Sequence, residues 1–203
     1  MLKKFVLGQL QTNCYMMIND KKEAFIVDPG DNGQKIRHYL TENGLELTAI
    51  LLTHGHFDHI GAVDYLYDLY HCPIYAHKET IEIAEDPFLN LSTMSSPMVL
   101  SAPITPVDGN MEINGYQIEW LFLPGHCKGS SMIRVLNENI IFSGDVLFKG
   151  SIGRFDFPTS SRHDTKQSLK YIKELDYDAV VYPGHGEDTT LNNEKLYNPY
   201  LRK

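Results

Sequence analysis

The chain has 203 residues, of which 42% are hydrophobic and 22% are charged, and its formal net charge is −8. This acidic balance argues against a general nucleic-acid binder, which usually has a basic face. No apolar run approaches the roughly 18 residues of a membrane-spanning helix, and no repeat or Pro/Gly-rich linker divides the chain, so we expect a single domain over residues 1–203.

The first residues and the cysteines predict the cellular compartment. Two lysines precede the first apolar run, but Gly8 and Gln9 interrupt that run, so we do not interpret it as a signal peptide. Cys14, Cys72 and Cys127 are few and scattered, which favours reduced thiols over a disulfide framework. We therefore expect a cytoplasmic protein.

The first half of the chain predicts a hairpin followed by alternating strands and helices. We expect strands at 13–18, 23–28, 47–52 and 73–77, and helices at 34–44, 62–70 and 78–85. Gly44 is the natural stop of the first helix. Residues 86–103 lack periodicity and could form either a lid or a packed surface loop.

The second half repeats this organisation. Residues 111–123 predict a hairpin that turns at Asn114-Gly115. Strands are expected at 132–136, 140–143 and 179–183, and a helix at 160–175 that begins with a capping-box variant. Strand meanders followed by helices thus occur twice, which indicates two sheets packed face to face with helices outside.

Residues 53–61, THGHFDHIG, contain four side chains that can bind metal: His54, His56, Asp58 and His59. They lie between a buried strand and a helix, where α/β proteins usually place sites. A helical metalloprotease motif needs histidines four residues apart, whereas His54 and His56 are two apart and can point the same way in an extended chain. Asp58 and His59 would then turn away from that pair, which is the arrangement we expect for two metal ions.

Three later predicted strands also end in residues that can bind metal, namely His126, Asp145 and His185. Each signal alone is weak, because a single histidine in a Pro-Gly-His turn is usually an ordinary loop residue. A shared edge at the ends of all four strands would gather five histidines and two aspartates. We therefore predict a metal centre at this edge.

These motifs resemble the metallo-β-lactamase superfamily, and specifically its short hydrolases similar to glyoxalase II (hydroxyacylglutathione hydrolase). The similarity rests on NCY, VDPG, THGHFDH, LPGHCKGS, FSGDVLF, GSIGRFDFP, YPGHGEDTT and NEKLYNPYL, which follow the family's order over nearly the whole chain. The resemblance implies an α/β fold (α+β by arrangement), a four-layer αββα sandwich. It also implies that the chain is an enzyme.

The resemblance implies the ligand sets as well. His54, His56 and His126 would bind one divalent metal ion, Asp58, His59 and His185 would bind the second, and Asp145 would bridge both. Imidazole and carboxylate ligands without thiolate suit zinc, with iron or manganese as alternatives. Two neighbouring ions can hold a bridging hydroxide, which Asp58 would orient, and can polarise a substrate carbonyl.

We predict hydrolysis of a thioester, because the leaving thiol has a pKa of about 8.5 and needs little protonation to depart. Arg154, where the family places a cationic substrate contact, is the first candidate to bind a substrate carboxylate, and Lys149 is the second. The expected partner is therefore an anionic small-molecule thioester. Asp28 would either orient a ligand or start a turn, and Cys127, where relatives commonly have threonine, is interpreted as a small packed residue.

Several alternatives stay open on the same scaffold. A mononuclear iron persulfide dioxygenase and a lactonase are the main ones, a β-lactamase is disfavoured by the ligand set, and a non-catalytic metal-stabilised binding protein is disfavoured because the ligand set is intact. The larger glyoxalase II enzymes carry a C-terminal helical domain that contacts glutathione. Because the sequence ends at residue 203, we expect no such domain and do not predict glutathione specificity.

Overall fold

A computed structural model describes residues 1–202 and contains two six-stranded sheets. The first sheet consists, in spatial order, of β1 (Leu2–Leu7), β2 (Thr12–Ile18), β3 (Glu23–Val27), β4 (Glu46–Leu51), β5 (Ile74–Ala76) and β6 (Ile104–Pro106). The first three strands are antiparallel, and β3 to β6 are parallel to one another. The parallel strands therefore all end at the same edge.

The second sheet has the strands β7 (Gly109–Ile113), β8 (Tyr116–Phe122), β9 (Ser131–Val135), β10 (Ile140–Gly144), β13 (Val180–Pro183) and β14 (Thr189–Thr190). Its spatial order is β14-β13-β10-β9-β8-β7, and β10 and β13 are parallel. A small hairpin of β11 (Leu147–Phe148) and β12 (Ser151–Ile152) follows β10. Asn114 and Gly115 both have positive φ, so the β7–β8 hairpin turns where the sequence predicts it.

The helices are α1 (Gly33–Asn43), α2 (Phe57–Ile60), α3 (Val63–Tyr70), α4 (Lys78–Glu85), α5 (Arg162–Glu174) and α6 (Leu191–Tyr197). Gly44 ends α1 in the left-handed conformation, and the Ser161 hydroxyl accepts a hydrogen bond from the Asp164 amide at the start of α5. Both predicted caps are thereby confirmed. Within residues 1–202 no helix is long and apolar enough to cross a membrane.

Successive side chains along each strand point to opposite faces of its sheet, so each sheet has an inner face towards the other sheet and an outer face towards the helices. On β2, Tyr15 and Met17 point into the core between the sheets, whereas Cys14 and Met16 pack with the helices that cover the first sheet. The outer face of the second sheet packs with α5 and α6 through Ile172 and Leu191. The four layers of the predicted αββα sandwich are thus confirmed.

Some elements were not predicted, chiefly β1, β6, β14 and α6. In β1 the side chains of Lys3 and Lys4 mask the apolar pattern, as is common on edge strands. The segment 86–103 is packed at its base: Asn90 is fully buried and its side-chain amide donates to the Met98 carbonyl at 2.9 Å. The longest exposed run in the segment is residues 93–97, at its tip, so the structure favours the packed loop over a lid.

Candidate metal centre

The predicted metal-binding side chains lie together where the strands of both sheets end. His54 and His56 follow β4, and Asp58 and His59 lie on the single turn of α2. His126 follows β8, Asp145 follows β10 and His185 follows β13. The edge shared by the two sheets therefore brings together residues that are up to 131 positions apart in the chain.

Three imidazoles form the first group. The Nδ1 atom of His56 lies 3.1 Å from Nε2 of His54 and 2.9 Å from Nε2 of His126. The other nitrogen of His126, Nδ1, donates to the Arg154 carbonyl at 2.8 Å, and Nδ1 of His54 lies 3.1 Å from the Thr53 hydroxyl. These outer hydrogen bonds direct the lone pairs of His54 and His126 towards the common centre.

Asp58, His59 and His185 form the second group. The Oδ2 atom of Asp58 lies 3.5 Å from Nε2 of His59 and 3.3 Å from Nε2 of His185. The Nδ1 atom of His59 donates to Asp28 at 2.9 Å, and Nδ1 of His185 donates to the Leu10 carbonyl at 3.1 Å. His59 and His185 both present Nε2 to the centre because Nδ1 of each has a partner.

Asp145 lies between the two groups. Its Oδ1 atom is 3.4 Å from Nε2 of His59, and its Oδ2 atom is 3.5 Å from Nε2 of His126 and 3.6 Å from Nε2 of His185. One carboxylate thus contacts histidines of both groups. This geometry suits a residue that is shared by two cations.

Buried polar atoms without a hydrogen-bond partner indicate whether a metal ion fits at this centre. Nε2 of His59 and Oδ1 of Asp145 are both buried and have no hydrogen-bond partner among the described residues. Such buried polar atoms are rare in folded proteins and call for an explanation. A divalent cation would satisfy both, so these residues fit a metal centre.

The protonation states of the first group and of Asp145 agree with metal binding. Burial lowers the pKa of His56 to about 3 and also lowers the pKa of His126, which keeps both imidazoles neutral. Burial alone would raise the pKa of Asp145, but His59, His126 and His185 together outweigh it and hold that pKa at about 2. Neutral imidazole and ionised carboxylate are the forms that ligate metal. At His59 the surrounding carboxylates, Asp58 first, outweigh burial and raise the pKa, so a metal ion would have to displace a proton there.

Asp28 is held by three hydrogen bonds. Its carboxylate accepts from the Thr53 amide at 2.8 Å, from the Thr53 hydroxyl at 2.6 Å and from Nδ1 of His59 at 2.9 Å. It lies close enough to His54 and His59 to form a third cluster of potential ligands. Because its oxygens already have these partners, we interpret Asp28 as the residue that orients His59.

Glycines allow the backbone to approach the centre closely. A Cβ atom on Gly184 would lie 2.3 Å from Oδ1 of Asp145 and 2.7 Å from Cε1 of His59. A Cβ atom on Gly30 would lie 1.5 Å from the Asp58 carbonyl oxygen. No side chain fits at either position without displacing a residue of the centre.

Sequence reasoning missed the residues of β2 that hold the second group. The Thr12 hydroxyl donates to Oδ2 of Asp58 at 2.7 Å. The side-chain amide of Asn13 donates to the carbonyls of Pro183 and Gly186, on either side of His185. Asn13 belongs to the NCY motif of the resemblance, but no role was predicted for it or for Thr12.

A cleft of about 600 Å³ opens beside the centre, lined by Thr12, Asp58 and Arg154 among others. The Arg154 guanidinium is exposed, donates through Nε and Nη2 to Asp156 at 2.9 Å each, and lies over the Phe157 ring. Arg154 therefore lies where it could contact a substrate.

Two other predicted positions lie outside the cleft lining. Lys149 pairs with Glu187 at an exposed position and is not among the residues that line the cleft. Cys127 is fully buried against Ser130, and burial raises the pKa of its thiol to about 11. Its environment is that of a packed residue.

Sequence comparisons find a family model and several relatives that match the chain. The profile of the Metallo-beta-lactamase superfamily matches residues 7–185. The probable metallo-hydrolase YqgX of Bacillus subtilis is 36% identical over 204 residues, covering 98% of this chain and 96% of that protein. The hydroxyacylglutathione hydrolase GloC of Haemophilus influenzae is 33% identical over 202 residues, covering 94% and 93%.

Two solved structures are also similar. The B3 metallo-beta-lactamase BLEG-1 has a TM-score of 0.94 and 37% identity, with all of both chains covered. TTHA1623, crystallised in a di-iron-bound form, has a TM-score of 0.88 and 36% identity, covering 98% of this chain and 100% of that one. These similarities extend over nearly the full length of the described fold.

Proposed function

The chain belongs to the metallo-beta-lactamase superfamily, and on this premise we propose that it is a binuclear metal-dependent hydrolase of thioesters. The observation that carries this proposal is Asp145, whose two carboxylate oxygens contact histidines of both groups. The similarity to a hydroxyacylglutathione hydrolase supports the thioester class. We propose zinc as the metal, with iron as the alternative because a similar protein holds two iron ions.

When bound, a pair of divalent ions supplies Lewis acidity at a substrate carbonyl and lowers the pKa of a bound water. The residues of the chain position the reactants. The Asp58 carboxylate, held by the Thr12 hydroxyl, lines the cleft and would orient the attacking water. Asp28 keeps His59 in the tautomer that faces the centre.

The net reaction adds water across the C–S bond. The acyl carbon gains the water oxygen, the C–S bond breaks, and the leaving thiolate takes up a proton. Among the described residues that line the cleft there is no lysine, tyrosine or histidine that could serve as a general acid, and the histidines of the centre are assigned to the metals. A thiolate leaving group suits such a cleft. Its conjugate acid has a pKa of about 8.5, so the thiolate can depart without a dedicated acid.

We also propose that the substrate carries an anionic group near Arg154. Of the described residues that line the cleft, Arg154 has the positively charged side chain, and Asp31 and Asp58 are acidic. Two of its nitrogens already donate to Asp156, so a substrate carboxylate would approach through Nη1. This contact lies at the rim of the cleft and would contribute to binding.

The test combines metal analysis with a substrate panel of thioesters, a lactone, a β-lactam and glutathione persulfide. We expect two metal ions per chain and thioester hydrolysis above the other activities. The His126→Ala variant should lose metal and activity, whereas His163→Ala, at an exposed position on α5, should retain both. A single iron with oxygen consumption on the persulfide, or faster β-lactam turnover, would overturn the proposal.

A further inference from the structure

The wall of the cleft beside the metal centre is largely apolar. Side chains from four separate segments contribute to it, so the wall does not depend on one loop. These side chains are those of Leu10, Phe57, Leu91, Met94, Met98 and Phe157. A cavity of about 600 Å³ is the size that accommodates a small organic ligand.

Two of these apolar side chains are exposed, and hydrogen bonds hold the backbone next to each of them. Met94 is 80% exposed and Leu10 is 54% exposed. Met94 ends a 3₁₀ turn, Ser92–Met94, which is anchored through the buried Ser92 and Asn90. The Leu10 carbonyl accepts the hydrogen bond from His185. A ligand that covers both would remove apolar surface from water without reordering the backbone.

The charges of the cleft restrict the ligand further. Arg154 is the cation among the lining residues of the described chain, and Asp156 already holds it. Asp31 contributes negative charge, whereas the charge of Asp58 would be offset by the metal that it is proposed to hold. Glutathione has two carboxylates and one ammonium group, so its thioesters would place three charged groups against a wall that is largely apolar.

We propose that the cleft accepts a thioester that carries an extended apolar chain and at most one anionic group, in preference to a glutathione thioester. This inference rests on the proposed thioester hydrolysis and names the substrate class of the same site. The apolar chain can belong to the acyl group or to the thiol. A long acyl group and a long alkyl thiol offer the cleft the same run of methylene groups, and the two arms of the experiment distinguish them.

The first arm of the experiment compares acetyl, butanoyl and octanoyl thioesters of N-acetylcysteamine. A fully buried methylene strengthens binding by about fourfold. In an open cleft each methylene is only partly buried, so the gain is smaller. We therefore expect kcat/KM for the octanoyl compound to exceed that for the butanoyl compound by about 10- to 100-fold. The second arm keeps the acetyl group and lengthens an alkyl thiol. Lactoylglutathione is assayed alongside and should be a poorer substrate than the best long-chain compound.

Variants connect the preference to the cleft. We expect Met94→Gln and Leu10→Gln to lower the octanoyl-to-butanoyl ratio by about three- to tenfold, because each removes apolar contact with the chain. Val99→Gln is the matched control, since Val99 is an exposed apolar residue of the same segment that does not line the cleft. This control should keep the wild-type ratio.

Binding separates this inference from the proposed function. Calorimetry measures the Kd of ketones in which a methylene replaces the thioester sulfur, so no hydrolysis is needed. Tighter binding of the longer ketones without turnover of any thioester would support the cleft assignment and overturn the proposed function. Thioester turnover with no dependence on chain length in either arm, or a preference for lactoylglutathione, would overturn the inference and leave the proposed function standing.

Discussion

Replacing Thr12 by valine should weaken metal binding on the Asp58 side of the centre. The Thr12 hydroxyl donates to Oδ2 of Asp58 at 2.7 Å, and Thr12 is 1% exposed. Valine keeps the shape of the side chain but removes the donor, so the carboxylate loses the group that holds its oxygen in place. A hydrogen bond to a charged group contributes about 1.5–3 kcal/mol. This corresponds to roughly 10- to 100-fold weaker binding, as is typical when a residue that supports a ligand is removed.

The assay is the metal content of each variant after dialysis against a graded series of chelator concentrations. Thr12→Ser keeps the hydroxyl and should remain within a few-fold of wild type. Thr48→Val is the remote control, since the Thr48 hydroxyl donates to the Ala24 carbonyl within the first sheet. Wild-type metal affinity in Thr12→Val, or equal losses for the serine and valine variants, would refute the role assigned to this hydrogen bond.

Three further predictions concern other parts of the site and the fold. Arg154→Ala should raise KM more than it lowers kcat, with about a 10- to 100-fold loss in kcat/KM for carboxylate-bearing thioesters and unchanged metal content; an equal proportional loss on neutral thioesters would show that the side chain does not bind substrate charge. Gly184→Ala should lower metal affinity at least about tenfold, because the new Cβ would lie 2.3 Å from Oδ1 of Asp145; wild-type metal content in the folded variant would contradict this. Glu194→Gln should lower the free energy of unfolding by about 2–3 kcal/mol at neutral pH, because the buried carboxylate accepts hydrogen bonds from four groups. Although burial opposes ionisation, these bonds lower the pKa of Glu194. The stabilisation is therefore present above the unfolded pKa of about 4.3 and is lost as the pH falls through the folded pKa. Denaturant unfolding curves of the wild type and the variant should converge in acid, and a difference that stays constant with pH would refute the assignment.

Much of the fold was predictable from short stretches of sequence. The alternation along residues 13–18 assigns Cys14 and Met16 to one face of a strand and Tyr15 and Met17 to the other, and both faces are buried in the sandwich. Gly44 and the Asn114-Gly115 pair mark an end and a turn because their backbone conformations are rare for other residues. Elements with little apolar periodicity, such as β14 and α6, were missed because they are short and are defined by the contacts they make.

The positions of the metal-competent residues at strand ends were likewise visible in the sequence, since parallel strands end at a common edge. The interactions that orient them were not. The His126 tautomer depends on the Arg154 carbonyl 28 residues away, and the His185 tautomer depends on the Leu10 carbonyl 175 residues away. The sequence by itself therefore determined which residues can bind metal and on which elements they lie. Only the tertiary structure decided which nitrogen each histidine presents, how Thr12 holds Asp58, and that an apolar cleft opens beside them. The physical reason is that hydrogen bonds require distances correct to a few tenths of an ångström, and those distances are set by the packing of segments far apart in the chain.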